Sequence, residues 1–297
     1  MKRLFVFIIG LVFVSSCNKK EAQDISQIVV CGDDKVLIID ALSSNVNDVK
    51  VVWEWKASDV ASSLPAQYQQ YLRTLDECKP VNKNKHILLT SSSGAVVLID
   101  RATKKCLFYA HTPNAHSAEM LPEGKIAVAL STHSQGNRLE LYDINYPEKV
   151  LFSDSLYSGH GAVWLEKRQR FYALGYDQLR EYSLKDWDTP APSLTLERKW
   201  NIPFESGHDL SPVSGDRLLV SGHEGVYFFD IQSGKFTPFE PLATTLNVKS
   251  VNFIEATGEI VYTKAEESWW TFNVYFRNPQ KKLNIPDIKL YKVRLLL

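Results

Sequence analysis

The sequence predicts an all-β fold: a β-propeller of six four-stranded blades, its ring closed by the C-terminal strand. Two observations predict it. The first is a phrase that recurs, a polar residue followed by a half-apolar strand, a turn and a second strand. It starts at Cys78-Lys79-Pro80, His116-Ser117-Ala118, His160-Gly161-Ala162, His208-Asp209-Leu210 and Lys249-Ser250-Val251. These starts fall 38, 44, 48 and 41 residues apart, the period of a propeller blade built as one four-stranded sheet per repeat. The second is a pair of complementary defects. The first blade lacks its inner strand, and one strand is left over at the C-terminus.

Taken in order, the chain begins with a segment foreign to the fold. Lys2 and Arg3 form a positive start, residues 4–14 an apolar run, and Val14-Ser15-Ser16-Cys17 a small-residue cleavage site. The run is short for a helix crossing about 30 Å of hydrocarbon. A signal over 1–17 whose Cys17 becomes the lipidated first residue of a bacterial lipoprotein is therefore expected. This would place the protein in the cell envelope on the outer membrane, facing the periplasm or the surface. Residues 18–27 are polar and read as a tether, and 28–297 as the propeller domain.

Blade one begins at its second strand, with strands at 27–31, 36–40 and 49–56. Residues 57–75 do not alternate; Leu64, Tyr68, Tyr71, Leu72 and Leu75 fall at spacings of three and four, which predicts a short helix on the way to blade two. Blade two reads as 78–81, 86–91, 95–100 and 105–110; blade three as 116–121, 125–130, 138–143 and 149–155. Blade four reads as 160–165, 170–174, 178–183 and 194–200, and blade five as 208–213, 217–221, 225–231 and 235–239. Blade six takes 249–256, 259–264, 271–277 and 281–285, which leaves 288–296 to complete blade one and remove the open edges of the ring. A rival division makes 271–285 an inserted hairpin and gives the last strand to blade six. Several third strands end in an apolar residue and an aspartate (Asp40, Asp100, Asp143, Asp230), expected to accept backbone N–H bonds in the tight turn that follows.

Composition bounds the function. Lys plus Arg and Asp plus Glu are 34 each, so no global field recruits nucleic acid. With Cys17 assigned to lipid, Cys31, Cys78 and Cys106 remain, an odd number that argues against a disulfide framework. No HExxH, GxSxG, CxxC or P-loop pattern occurs. The carboxylate doublets Asp33-Asp34 and Glu266-Glu267 sit in turns and point different ways, so they do not suggest an acid/base couple.

Because inner strands begin at the face carrying the loops between second and third strands, His116, His160 and His208 should converge at the channel mouth, with Cys78 and Lys249 on the flanking blades. Tyr176, Asp177, His223, Trp269 and Trp270 lie in the loops around that rim. Three readings of the histidines stand side by side. They coordinate a divalent metal through neutral imidazoles, with a carboxylate such as Glu119 or Glu224 completing the shell. They hydrogen-bond a glycan or glycan-derived ligand while Trp269, Trp270 and Tyr176 supply flat faces. Or they satisfy backbone groups at blade junctions and bind nothing. Of the adjacent Trp269 and Trp270, read as strand neighbours facing opposite sides, at most one should stack on a ligand while the other packs inward.

The signal ending in Cys17, the strand starts Gly159-His160 and Gly207-His208, the Ser268-Trp269-Trp270 segment and the closing Tyr291-Lys292-Val293-Arg294 together resemble a family of uncharacterised Bacteroides-type lipoproteins with a six-bladed propeller. That resemblance implies the fold and lends no activity. A looser similarity, resting on the rim histidines alone, is to propeller-shaped oligogalacturonate lyases that use a His-bound metal. The leading expectation is a membrane-anchored propeller that binds a glycan at its channel mouth without a cofactor. The alternatives are a metal-dependent lyase or hydrolase and a scaffold for envelope proteins.

Overall fold

A computed structural model of the chain describes residues 25–60 and 62–296. Six four-stranded antiparallel sheets are arranged as a ring of blades. Blade one comprises Gln27–Gly32, Lys35–Asp40 and Val51–Lys56, with Leu290–Leu295 as its inner strand, antiparallel to Gln27–Gly32. The leftover strand therefore completes blade one, and the rival division is overturned. Gly32 sits where the two ends of the chain meet, so close that a side chain there would collide with the backbone of Lys289. The signal, Cys17 and the tether up to residue 24 lie outside the described residues.

Blades bury both faces, because each is sandwiched between two others. In blade one, Val29 and Cys31 pack with Leu75, Cys78 and Ile87 of blade two, while Ile28 and Val30 pack with Val261 and Val274 of blade six. Side-chain alternation thus sorts residues to two apolar interfaces instead of a wet and a dry face, and gives strands the unbroken apolar runs usual in doubly covered sheets.

The turn aspartates behave as their position requires. Asp40, Asp100, Asp143 and Asp230 each accept a hydrogen bond from a backbone N–H two or three residues on, at 2.7–2.9 Å. The helix expected at 57–75 is instead two short 3-10 segments, Ala57–Val60 and Ala66–Leu72. Pro65 divides them, and Leu64, Tyr68 and Leu72 point into the interface of blades one and two. The inner strand of blade two starts at Leu75, not Cys78, with consequences for the channel mouth.

Antiparallel order puts the first-to-second and third-to-fourth turns of every blade on one face, and the second-to-third loops and blade-to-blade connections on the other. The latter is the mouth face. The chain enters its first strand on the opposite face, where the Ile25 N–H donates to Glu259 Oε2.

Candidate functional site

Each inner strand carries an irregularity near its start. In blades one, two, three, five and six the register slips by one residue against the second strand, a β-bulge that turns an extra side chain toward the axis. The extra residues are Tyr291, Asp76, His116, His208 and Lys249. In blade four His160 holds the same place, just before the strand Gly161–Leu165, with its N–H donating to the Leu174 carbonyl. Two residues earlier, Asn114, Ser158, Ser206 and Asn247 all have positive φ, a left-handed turn that swings the chain from the blade connection into the bulge. Six blades thus contribute one residue each to a ring around the channel mouth: Tyr291, Asp76, His116, His160, His208 and Lys249.

The three histidines converge as the repeat implied. Ring centroids are 4.3 Å apart for His116 and His160, 5.5 Å for His160 and His208, and 4.7 Å for His208 and the loop residue His223. Tyr291 reaches across to His116 at 5.7 Å. Lys249 also belongs to the ring, its Nζ donating to His208 Nε2 at 2.8 Å. Cys78 does not: it lies two residues beyond the bulge, buried with Sγ near the carbonyls of Val29 and Lys292, and Asp76 takes the place expected for it. The described cysteines are free thiols.

Hydrogen bonding fixes the imidazoles. His116 and His160 each donate Nδ1–H to the carbonyl two residues back, Asn114 at 3.1 Å and Ser158 at 2.9 Å, which leaves Nε2 as an acceptor without a hydrogen bond. His208 accepts from Lys249 at Nε2, so its proton sits on Nδ1, a buried atom with no partner. Burial depresses all three: His116 to about 4, and His160 and His208 well below the ordinary imidazole value, with Lys249 adding to the effect on His208. They are neutral at pH 7. Burial raises Asp76 to about 7 against the hydrogen bonds from Ser92, and its Oδ1 lies 3.8 Å from His116 Nε2. Burial lowers Lys249 to about 8, helped by Lys292. Strongly shifted groups gathered in one place are a mark of functional sites, though ion-pair networks produce them too.

Directly beneath the ring the channel is plugged. Lys292 and Arg294, alternate residues of the closing strand, meet Glu77 of blade two and Asp209 of blade five. Arg294 spans both carboxylates with four bonds of 2.6–2.8 Å, and Lys292 lies 3.1 Å from Asp209 and 3.5 Å from Glu77 while donating to the His160 carbonyl. Burial alone would raise the Glu77 carboxyl, but Arg294 and Lys292 outweigh it and hold it well below the usual range. Nothing in the recurring phrase singled out this quartet, although Lys292 and Arg294 stand in the closing motif.

Among the described residues, no three His, Cys, Asp or Glu side chains are arranged to hold a metal ion. The physical reason is that the Lys249 ammonium occupies His208 Nε2, while Glu119 is bound by Lys79 at 2.9 Å on the far side of the plug. Glu224 stays exposed in its loop.

Around the mouth, Trp269 is 59% exposed, while Trp270 packs edge-on against Phe272 with Lys289 over its face; both lie in the turn before the strand Asn273–Arg277, so the turn and not strand alternation divides them. A small cavity of about 90 Å³ joins both tryptophans to Asp33, Asp76 and Tyr291. Tyr176 is half-buried, donating to Glu205 and packed on Tyr157, which sequence reasoning missed and which is 57% exposed; Asp177 is exposed beside it. On the opposite face the channel opens into a vestibule of about 740 Å³, walled by Trp164, Phe253 and Val213 with Lys79, Glu119 and Asn252 among its polar groups.

No helix among the described residues is long and apolar enough to cross a membrane. Residues 6–297 match DUF6528, a family of unknown function. No curated protein matches the chain. A solved structure of a protein of unknown function from Bacteroides caccae superposes with a TM-score of 0.59, covering 91% of this chain and 98% of its own at 13% identity. At that identity the likeness is one of fold, a scaffold that hosts unrelated activities.

Proposed function

The chain belongs to the DUF6528 family, whose function is unknown, and from the geometry of its channel mouth we propose that it binds a glycan or glycan-derived molecule there without transforming it. One observation carries this reading: the ring presents two polar atoms that the protein itself leaves without a hydrogen bond, the Nε2 acceptors of His116 and His160. Sugar hydroxyls donate to such acceptors, so one sugar satisfies both. The exposed faces of Trp269 and Tyr157 suit the apolar side of a pyranose. Ser158 Oγ lies 3.3 Å from His160 Nδ1, but that nitrogen carries the proton it donates to the Ser158 carbonyl and cannot serve as base to the hydroxyl, which favours binding over turnover.

Anchoring is part of the same proposal. Acylated Cys17 would hold the protein at the bilayer, and the described chain begins at Ile25 on the face opposite the mouth, so ligand would approach from the side away from the membrane. Ten residues, 18–27, reach at most about 35 Å.

A glycan-array screen with thermal melts on wild type, Trp269→Ala and the three single His→Ala variants tests the reading. Retention of a defined glycan by wild type, lost in the variants while Trp269→Ala melts like wild type, is the expected result. No retained glycan, with lowered melting temperatures in all three His variants, would make the ring architecture only. The vestibule is the second location, favoured by a volume within the usual range for small-molecule sites.

A further inference from the structure

Four cationic side chains are buried among the described residues: Lys125, Lys249, Lys292 and Arg294. Three have carboxylate partners. Lys125 lies 3.1 Å from Asp143, and Lys292 and Arg294 share Glu77 and Asp209. Lys249 has none within 4 Å. Its surroundings are the His208 Nε2 that accepts one of its three protons, the face of Tyr291 at 5.7 Å, and the like charge of Lys292 below; His223, His116 and His160 also feel its charge. The carboxyl of Asp76 faces it from blade two without forming an ion pair. A buried cation left without a counter-charge is costly, and two of its N–H donors are unused.

Resting on the reading of the mouth as a glycan site, we propose that the ligand is an acidic sugar and that Lys249 receives its carboxylate. A carboxylate matches the arrangement in charge and size: one unit of negative charge for one ammonium, with no guanidinium fork of the kind that doubly charged phosphate groups favour. The carboxylate accepts from Lys249. Sugar hydroxyls donate to Nε2 of His116 and His160. The open acceptors of the ring are paired in this way, and the charge of the mouth is neutralised.

The pH dependence follows from groups already named. Lys249 loses its proton near pH 8 and Asp76 gains a negative charge near pH 7, while the histidines, already neutral, do not change. Both titrations weaken anion binding as pH rises, so affinity should fall at least tenfold between pH 6.5 and 9.

The test is calorimetric titration of wild type and Lys249→Gln with oligosaccharides ending in glucuronate or galacturonate, each paired with its carboxyl-reduced counterpart. Wild type should bind the acidic member at least tenfold more tightly at pH 6.5, and Lys249→Gln should erase the difference. The pH profile of wild type gives the same answer should the variant fail to fold. Equal affinity for both members, or an affinity flat to pH 9, overturns this inference and leaves the glycan reading standing. Binding of neither member by folded wild type overturns both.

Discussion

Histidines at the channel mouth serve the fold at one nitrogen and face outward at the other. Their Nδ1–H bonds to Asn114 and Ser158 settle the tautomer, and burial keeps them neutral. This has a consequence for stability. An unfolded chain takes up histidine protons as pH falls through about 6.5, whereas His116 refuses one until about 4 and His160 and His208 are likewise held well below the ordinary value by burial. The unfolded state then binds more protons, so stability falls between pH 6.5 and 4. Asp76 acts in the other direction, holding its proton up to about 7 where an unfolded aspartate releases it near 4. Three groups oppose one, and the melting temperature should be several degrees lower at pH 4.5 than at pH 7; a melt unchanged or higher at pH 4.5 would show that the imidazoles are not held neutral. Below the ordinary carboxylate range Glu77 adds to the loss, because its depressed value makes it stabilising only while ionised. The three histidines were legible in the sequence because the same residue type recurs at the same point of the repeat. Asp76 and Tyr291 were not, since different residue types fill that point in their blades. Cys78 was mistaken for a ring member because the inner strand of blade two starts at Leu75, three residues before the start read from the apolar pattern, so that Asp76 stands at the bulge.

The closing strand Leu290–Leu295 does more than pair with Gln27–Gly32. It delivers Tyr291 to the ring and both cations to the plug, where they meet carboxylates from blades two and five. Deleting residues 288–297 would therefore unpair the Gln27–Gly32 edge of blade one and strand Glu77 and Asp209 in the interior, and no cooperative thermal transition near that of the full chain should survive. A narrower probe is Arg294→Met, which keeps the strand and removes the bidentate partner; about 3–5 kcal/mol of destabilisation is expected for one buried partner lost, read by denaturant unfolding. Unchanged unfolding in both variants would refute the closure account. The ownership of this strand could be inferred from arithmetic, one strand missing and one to spare. Its charge could not be explained from sequence, because Lys292 and Arg294 find their partners 83 to 217 residues away. Residues 57–75 show the opposite limit: spacings of three and four announced a helical path, but they do not distinguish an α-helix from the 3-10 turns that Pro65 separates.

At the scale of the whole molecule, the plug divides the channel into two unlike ends. The mouth is polar, ringed by one residue per blade; the vestibule is larger and walled by Trp164 and Phe253. Chain entry near Ile25 lies on the vestibule face, so an anchor at Cys17 would point the ring outward. Cys17→Ser should leave the melting temperature unchanged and move the protein from the membrane fraction to the soluble one, since acyl chains supply the bilayer affinity; a Ser variant that still sediments with membranes would remove the anchor. The ring as a ligand site is the central claim, and nitrogen-15 NMR of the imidazoles tests it most directly. At pH 7 His116, His160 and His208 should appear as neutral Nδ1–H tautomers, and a bound acidic oligosaccharide should shift Nε2 of His116 and His160 while leaving His86 and His133 in place. Protonated or Nε2–H imidazoles, or ring signals unmoved by every glycan that the protein retains, would contradict it.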